Sequence, residues 1–341
     1  MKKKVPFQHV VITGGTGSLG QAIIKHLLKN DLAKRITSIS LSESRIHQSY
    51  QDLTRSSIHR LTYHQTEVFH LRGDVKDKDF LTRVFQNADT IIHTAAMKHV
   101  PLCEQQPSEC IKSNIMGTLN VLDAAIANAS VKNIILLSTD KAPLAVNVYG
   151  ISKFLLESLI GEYSKTSKAR IIGFRSCNFF GSKGSVVDSF YQSMQKDKSV
   201  TLTNKLTRRC YISLSKVAED ICGVLQNKRV KSGDIVIPKR FGRINLQELV
   251  RALRTFLEIP AKALTVKFQG LRKGERLNDT LISDAEAPYV RCREKDYYIL
   301  RKESKNDASY VKGISTADST CFTQGEIIKM LMELYSQGGE V

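Results

Sequence analysis

The stretch "VITGGTGSLG" at positions 11–20 restricts the fold more than any other part of this chain. An apolar, β-branched run at 9–13 leads straight into three spaced glycines, and the amphipathic pattern "LGQAIIKHLLKN" begins at once. Glycine at 14, 17 and 20 permits a tight turn, lets the backbone approach a pyrophosphate closely, and lets the helix pack tightly on the strand. The free N–H groups at the start of such a helix face any anion held in the turn. The pattern therefore predicts a dinucleotide site lined by Gly14, Thr16, Gly17, Ser18, Leu19 and Gly20.

The rest of the chain supports a sheet to carry that loop. Short β-branched runs recur at 9–13, 35–41, 67–72, 90–96, 133–138 and 170–176, with helical spacing of apolar residues between them, as in 114–129. Strands alternating with crossover helices predict an α/β fold, a doubly wound parallel sheet of the Rossmann type. After about residue 180 the pattern breaks into shorter pieces, with helices expected at 214–226, 245–257 and 325–337. Residues 1–180 are thus expected to form the NAD(P)-binding domain with the catalytic residues. Residues 181–341 are expected to form mainly a smaller substrate-binding lobe, with some segments returning to the first.

Composition narrows the partners. Fifty-one Lys and Arg against 33 Asp and Glu leave +18, which suits an anionic ligand such as a nucleotide. The cations are dispersed, without a dense arm or interleaved aromatic residues, so a nucleic-acid partner is not expected. Association with an acidic membrane surface stays open. No apolar run approaches the ~20 residues that span a bilayer, and the start of the chain lacks a secretory core. The seven cysteines are odd in number and never spaced as Cys-x-x-Cys. A reducing, cytoplasmic setting without structural metal is expected.

The segment that would read the cofactor's ribose, "LSESRIHQ", leaves two alternatives. A carboxylate such as Glu43 suits the free hydroxyl of NAD, whereas Ser42, Ser44 and Arg45 suit the phosphate of NADP. Asp74, followed by Val75, stands where the third strand ends and suits the adenine, or else caps the next helix.

Tyr149 and Lys153 are four residues apart on an expected helix and so share a face. A cation beside the phenol would lower its pKa and prepare it to take a proton from a hydroxyl. Just before them stands Thr139-Asp140-Lys141, at the end of the fifth expected strand.

With "ITGGTGSLG", "GDVKD", "HTAAMKHVP", "LSTDKA", "VYGISK" and "LRKGER" in order, the chain resembles extended short-chain dehydrogenase/reductases. More narrowly, it resembles the inverting UDP-N-acetylglucosamine 4,6-dehydratases of bacterial glycan synthesis. Lys in the third place of Thr-Asp-Lys marks that group. The resemblance implies NADP, with NAD as the alternative, a nucleotide-sugar substrate and a homo-oligomer. It also implies roles: Asp140 as acid at the C6 hydroxyl, Lys141 as base at C5, Tyr149 with Lys153 as base at the C4 hydroxyl, and Thr139 holding the substrate. Lys141 would need a depressed pKa for its part. Ser138, Ala95, Ala96, Asn114 and Lys98 would line the cofactor, and Lys98, Asn178, Val186, Arg209, Arg272 and Glu275 the sugar nucleotide. His99 is expected to be structural. The chain departs from the group's pattern at Ser176-Cys177, at Asp188 in place of Pro, at Leu206 in place of an Arg, and in "LRKGER". A nucleotide-sugar 4-epimerase, a dehydratase for another sugar and a non-catalytic cofactor sensor remain the rival expectations.

Overall fold

The structure, a computed structural model, describes residues 5–55, 66–292, 294–302, 312–317 and 319–335. Its main sheet has nine strands. In chain order they are β1 (Phe7–Thr13), β2 (Ala33–Ser40), β3 (Glu67–Arg72), β4 (Thr90–His93), β5 (Asn133–Thr139), β6 (Arg170–Ser176), β7 (Ile235–Pro238), β8 (Val290–Arg291) and β9 (Tyr297–Leu300). Their spatial order is β8-β9-β7-β6-β5-β4-β1-β2-β3. The run from β3 to β7 is parallel, while β9 pairs antiparallel with both β7 and β8. Strand order reverses between β1 and β4, and in open α/β sheets that switch point opens the ligand crevice.

Strand periodicity explains why both faces are covered. Val10, Ile12, Ile92, Ile135 and Ile172 belong to one buried cluster, and their neighbours Val11, Ile91, Ile134, Leu136 and Ile171 belong to another. Alternate side chains point to opposite faces, so strands this apolar must be sandwiched between helices. Helix α1 (Ser18–Lys29) buries Leu19, Ile23, Ile24, Leu27 and Leu28 at helical spacing and packs against Leu214–Gln226. Thus the second half of the chain returns to the main sheet with one helix and three strands. A third buried cluster gathers Val187, Phe190, Leu249, Leu253, Ile327 and Leu331 from the helices Val186–Asp197, Leu246–Phe256 and Gln324–Tyr335.

Each of the six expected strands is present, and the differences have local causes. The fourth ends at His93 rather than 96 because Thr94 turns back, its amide and hydroxyl both donating to the Thr13 carbonyl. The helix expected over 114–129 is a π-helical turn, Ile111–Met116, running into Gly117–Ala127. Gly117 allows this run to press on Val75, whose Cγ2 would lie 2.7 Å from an added Cβ. Among the described residues no helix is long and apolar enough to cross a bilayer.

Candidate active site

The glycine turn closes the crevice from below. Gly14 has φ +72°, and a Cβ there would lie 2.7 Å from the Ala95 amide nitrogen, so the loops after β1 and β4 meet at a distance only glycine permits. Helix α1 has Gly17 as its N-cap, with no side-chain cap and no acid in its first turn. Its N–H groups are left to an outside anion. Thr16 Oγ1 lies 2.6 Å from Ser40 Oγ, and Gln21 bonds both the Gly15 carbonyl and Ser49 Oγ, fixing the turn to β2 and to the helix Glu43–Arg55. Ser18 Oγ accepts from the Lys183 amide, and Lys98 Nζ donates to the Lys183 carbonyl at 2.9 Å. Desolvation pulls the Lys98 pKa down, and the Arg45 charge adds to the effect. Asp74 accepts from the Lys76 amide at 3.0 Å, while Glu43 is exposed in the first turn of its helix. Such a cradle, which a Cβ would fill, fits a dinucleotide.

Two residues expected to line the cofactor also brace the site. Asn114, fully buried, accepts from the Met97 amide and donates to its carbonyl, holding the segment after β4 in place. Ser138 donates to Glu157 at 2.7 Å. Ala96 sits half-buried in the segment that Asn114 holds.

Beyond the strand ends lies the ionisable cluster. Helix Val148–Tyr163 starts at Asn147, whose side chain accepts from the Gly150 amide and donates to the Gly274 carbonyl. Lys141 Nζ is 2.9 Å from Asp140 Oδ1, 3.3 Å from Asn178 Oδ1 and 3.7 Å from Asp279 Oδ2. Asp140 also accepts from Thr139 at 2.9 Å and from Asn178 at 3.3 Å. Tyr149 lies close enough for Lys141, Asp140 and Thr139 each to act on its phenol. Lys153, on the same helix, is buried and donates to the Leu137 carbonyl at 2.9 Å.

The protonation energetics differ from the sequence expectation in three ways. Burial pushes the Tyr149 phenol up to about 12, and the cation opposing that rise is Lys141 rather than Lys153. Burial lowers Lys141, but Asp140 and Asp279 outweigh it and the net shift is upward, not the depression expected. It is Lys153 whose pKa is depressed, by burial, to about 8. Burial raises Asp140 against the pull of Lys141. Residue spacing reports which groups meet; it carries no information on how dry the meeting place is.

Two adjoining cavities of about 390 and 170 Å³ open from this cluster. Arg209, Arg272 and Glu275 line both; Val186 lines the larger, and Lys141 the smaller. Arg209 pairs with Glu275 at 3.1 Å and with Asp279 at 3.4 Å. The Arg272 amide donates to Glu275 at 3.2 Å. Asp188, in place of the group's Pro, accepts from the Gly184 amide at 2.8 Å and sits in the first turn of Val186–Asp197. Leu206 projects into solvent.

Asp279 escaped the sequence reading. It is buried, its Oδ2 accepts no hydrogen bond, and it faces both Lys141 and Arg209. A lone Asp in "RLNDT" gave no signal, because its partners come from distant parts of the chain. Cys103 and Cys110 are buried beside the segment that Asn114 holds: the Cys103 thiol donates to the Met97 carbonyl, and Asn114 donates to the Cys110 sulfur.

A doubly wound sheet with a glycine turn at its switch point and Tyr149, Lys153 and Thr139 at its strand ends defines an extended short-chain dehydrogenase/reductase. The chain belongs to the family described as polysaccharide biosynthesis protein, which matches residues 10–301. It is 35% identical over 303 residues to a UDP-N-acetylglucosamine 4,6-dehydratase (inverting) of Campylobacter jejuni, spanning 87% of this chain and 84% of that one. It is 32% identical over 333 residues to a UDP-glucose 4-epimerase of Rickettsia felis, spanning 96% and 90%. Among solved structures it is similar to Pen from Bacillus thuringiensis, with TM-score 0.85 at 24% identity over 96% of this chain and 99% of that one. It is also similar to DesIV, the dTDP-glucose 4,6-dehydratase of Streptomyces venezuelae with NAD and TYD bound, with TM-score 0.70 at 19% identity over 79% and 87%.

Proposed function

We propose that the protein is a UDP-N-acetylglucosamine 4,6-dehydratase that inverts C5, with residues 1–180 holding the cofactor and most of 181–341 the sugar nucleotide. The observation that carries this reading is Lys141, held between Asp140 and Asp279 on the rim of a cavity and within electrostatic reach of Tyr149. A bound nicotinamide would accept hydride from C4 and return it at C6. Seven free thiols suit a reducing, cytoplasmic setting.

The chain's own groups would move the protons. Tyr149, once its own proton has passed to solvent, takes the C4-hydroxyl proton; Lys141 takes the C5 proton, and Asp140 protonates the departing C6 hydroxyl, which leaves as water. An Asp140 carboxylate beside a Lys141 ammonium carries the same number of protons as a carboxylic acid beside a neutral amine. One proton shift along the 2.9 Å contact therefore prepares acid and base together, without uptake from solvent. The upward shift of Asp140 favours that neutral pair, and the upward shift of Lys141 opposes it. After elimination Lys141 is again an ammonium and Asp140 a carboxylate, so the pair is reset. A proton from solvent delivered to the opposite face of C5, with Tyr149 releasing to solvent the proton it took, completes inversion and closes the proton balance.

For the cofactor, NADP is favoured by Arg45, whose charge reaches Lys98, and by Ser42, whose hydroxyl accepts from the Arg45 amide at 3.4 Å. The larger cavity, with Arg209 and Arg272, suits a diphosphate. Incubation with UDP-N-acetylglucosamine and NADP in heavy water tests the reading. NMR should show a 4-keto-6-deoxy sugar with deuterium and inverted configuration at C5. The relative named a 4-epimerase supports a second reading, which would yield a product that keeps its C6 hydroxyl.

A further inference from the structure

In the small parallel ribbon made by Ser199–Leu202 and Thr265–Phe268 the first strand buries Val200 and Leu202 in the third cluster, and the second lies on the outside of the molecule. All four residues of Thr265–Phe268 are exposed, although they alternate as a half-buried strand should, with Val266 and Phe268 on one side and Thr265 and Lys267 on the other. Val266 is 40% exposed and Phe268 47%; nearby Leu271 is 43% and Leu206 61% exposed. Apolar side chains grouped on one face mark a contact surface more often than scattered ones do.

The charge along this segment of the chain has one sign. Between Ile259 and Gly274 stand Lys262, Lys267, Arg272 and Lys273 without a single Asp or Glu. Lys205 Nζ lies 5.2 Å over the Phe268 ring, adding a cation from the neighbouring turn. We propose that this ribbon docks the protein onto an anionic lipid surface, the lysines meeting headgroups while Phe268, Leu271, Val266 and Leu206 enter the headgroup–acyl boundary. Aliphatic and aromatic side chains set among lysines have the composition that partitions into that boundary. A second copy of the same basic face would be repelled. A nucleic acid would meet the charge, but three of the four apolar side chains are aliphatic and offer its bases no stacking platform. With no bilayer-spanning helix among the described residues, the attachment is peripheral.

The test uses the full chain and needs no turnover, so it is independent of the proposed reaction. Sedimentation with vesicles of phosphatidylcholine containing phosphatidylglycerol, against phosphatidylcholine alone, is measured at about 0.15 M salt, where free-solution charge attraction beyond ~8 Å is screened. Binding is expected to the anionic vesicles only. The double variant Lys205→Glu, Lys267→Glu should weaken it by more than roughly tenfold. Phe268→Ser should weaken it severalfold. Both variants should keep wild-type turnover, since none of these residues lines the cleft. Absence of binding at that salt, equal binding to neutral vesicles, or variants that bind as the wild type does would overturn the proposal. So would self-association, or oligonucleotide binding, that Phe268→Ser abolishes while vesicle binding is untouched.

Discussion

Lys153 is a buried amine and Lys141 a half-buried one, and their surroundings shift them in opposite directions. Lys141 gains two carboxylates and is raised; Lys153, hydrogen-bonded to a backbone carbonyl, is lowered by burial to about 8. If Lys141 takes the C5 proton, Lys141→Met should lower turnover by about 10²- to 10⁴-fold and abolish deuterium wash-in at C5 while leaving substrate binding measurable. NMR of the sugar in heavy water reads both effects, and retained C5 exchange would remove Lys141 from the role. Lys153 makes a different prediction. Its folded pKa lies below the ordinary 10.5, so between about pH 8 and 10.5 the unfolded chain binds more protons than the folded one, and stability contributed by the neutral buried amine rises with pH. The melting temperature of the wild type relative to Lys153→Met should therefore climb from pH 8 to 10 and be lost again as pH falls through 8. Calorimetry at matched ionic strength checks the sign.

At the scale of elements, the site depends on how the catalytic helix is tied to the sheet. Arg175 on β6 is fully buried and binds Glu157 of Val148–Tyr163 through Nε and Nη2, at 2.8 and 2.6 Å, and Glu286 through Nη1 and Nη2, at 3.0 and 2.7 Å. Removing one partner of such a network leaves a buried charge exposed to an apolar surround, so Glu157→Ala should cost about 3–5 kcal/mol. The pair variant Glu157→Gln, Arg175→Met should cost less than the sum of its single changes. Urea unfolding followed by circular dichroism measures all three. The cross-link was not readable beforehand: Arg175 stood in a strand segment, Glu157 in a helix, and Glu286 over a hundred residues on. The first six strands were readable because long apolar runs alternate with amphipathic ones. β7, β8 and β9 were not, being two to four residues long in a region of mixed pattern. The Tyr149 and Lys153 pairing needed only helical spacing, whereas Asp279 reaches Lys141 by a fold-level return that no local pattern encodes.

Across the whole molecule, the excess of +18 is not spread evenly in its effects. Some cations are neutralised, as Arg175 by Glu157 and Glu286 and Arg301 by Asp234. Arg272 and Lys273 stand exposed at the mouth of the cleft, and Arg209 lines both of its cavities. Cations outnumber the acids Glu275 and Asp279 along the cleft, and such an excess in a low-dielectric cleft concentrates field and draws in an anion, an effect that salt removes as the Debye length shrinks from ~10 Å at 0.1 M to ~3 Å at 1 M. For a diphosphate-bearing substrate, KM should therefore rise severalfold as salt is raised over that range, while kcat, set by groups buried away from bulk ions, should change little. Arg272→Ala should raise KM at low salt and flatten its salt dependence, because the charge that salt screens is gone. Steady-state kinetics across a salt series distinguishes this from a general loss of activity. A KM insensitive to salt would mean that the excess charge does not face the cleft and acts elsewhere on the surface.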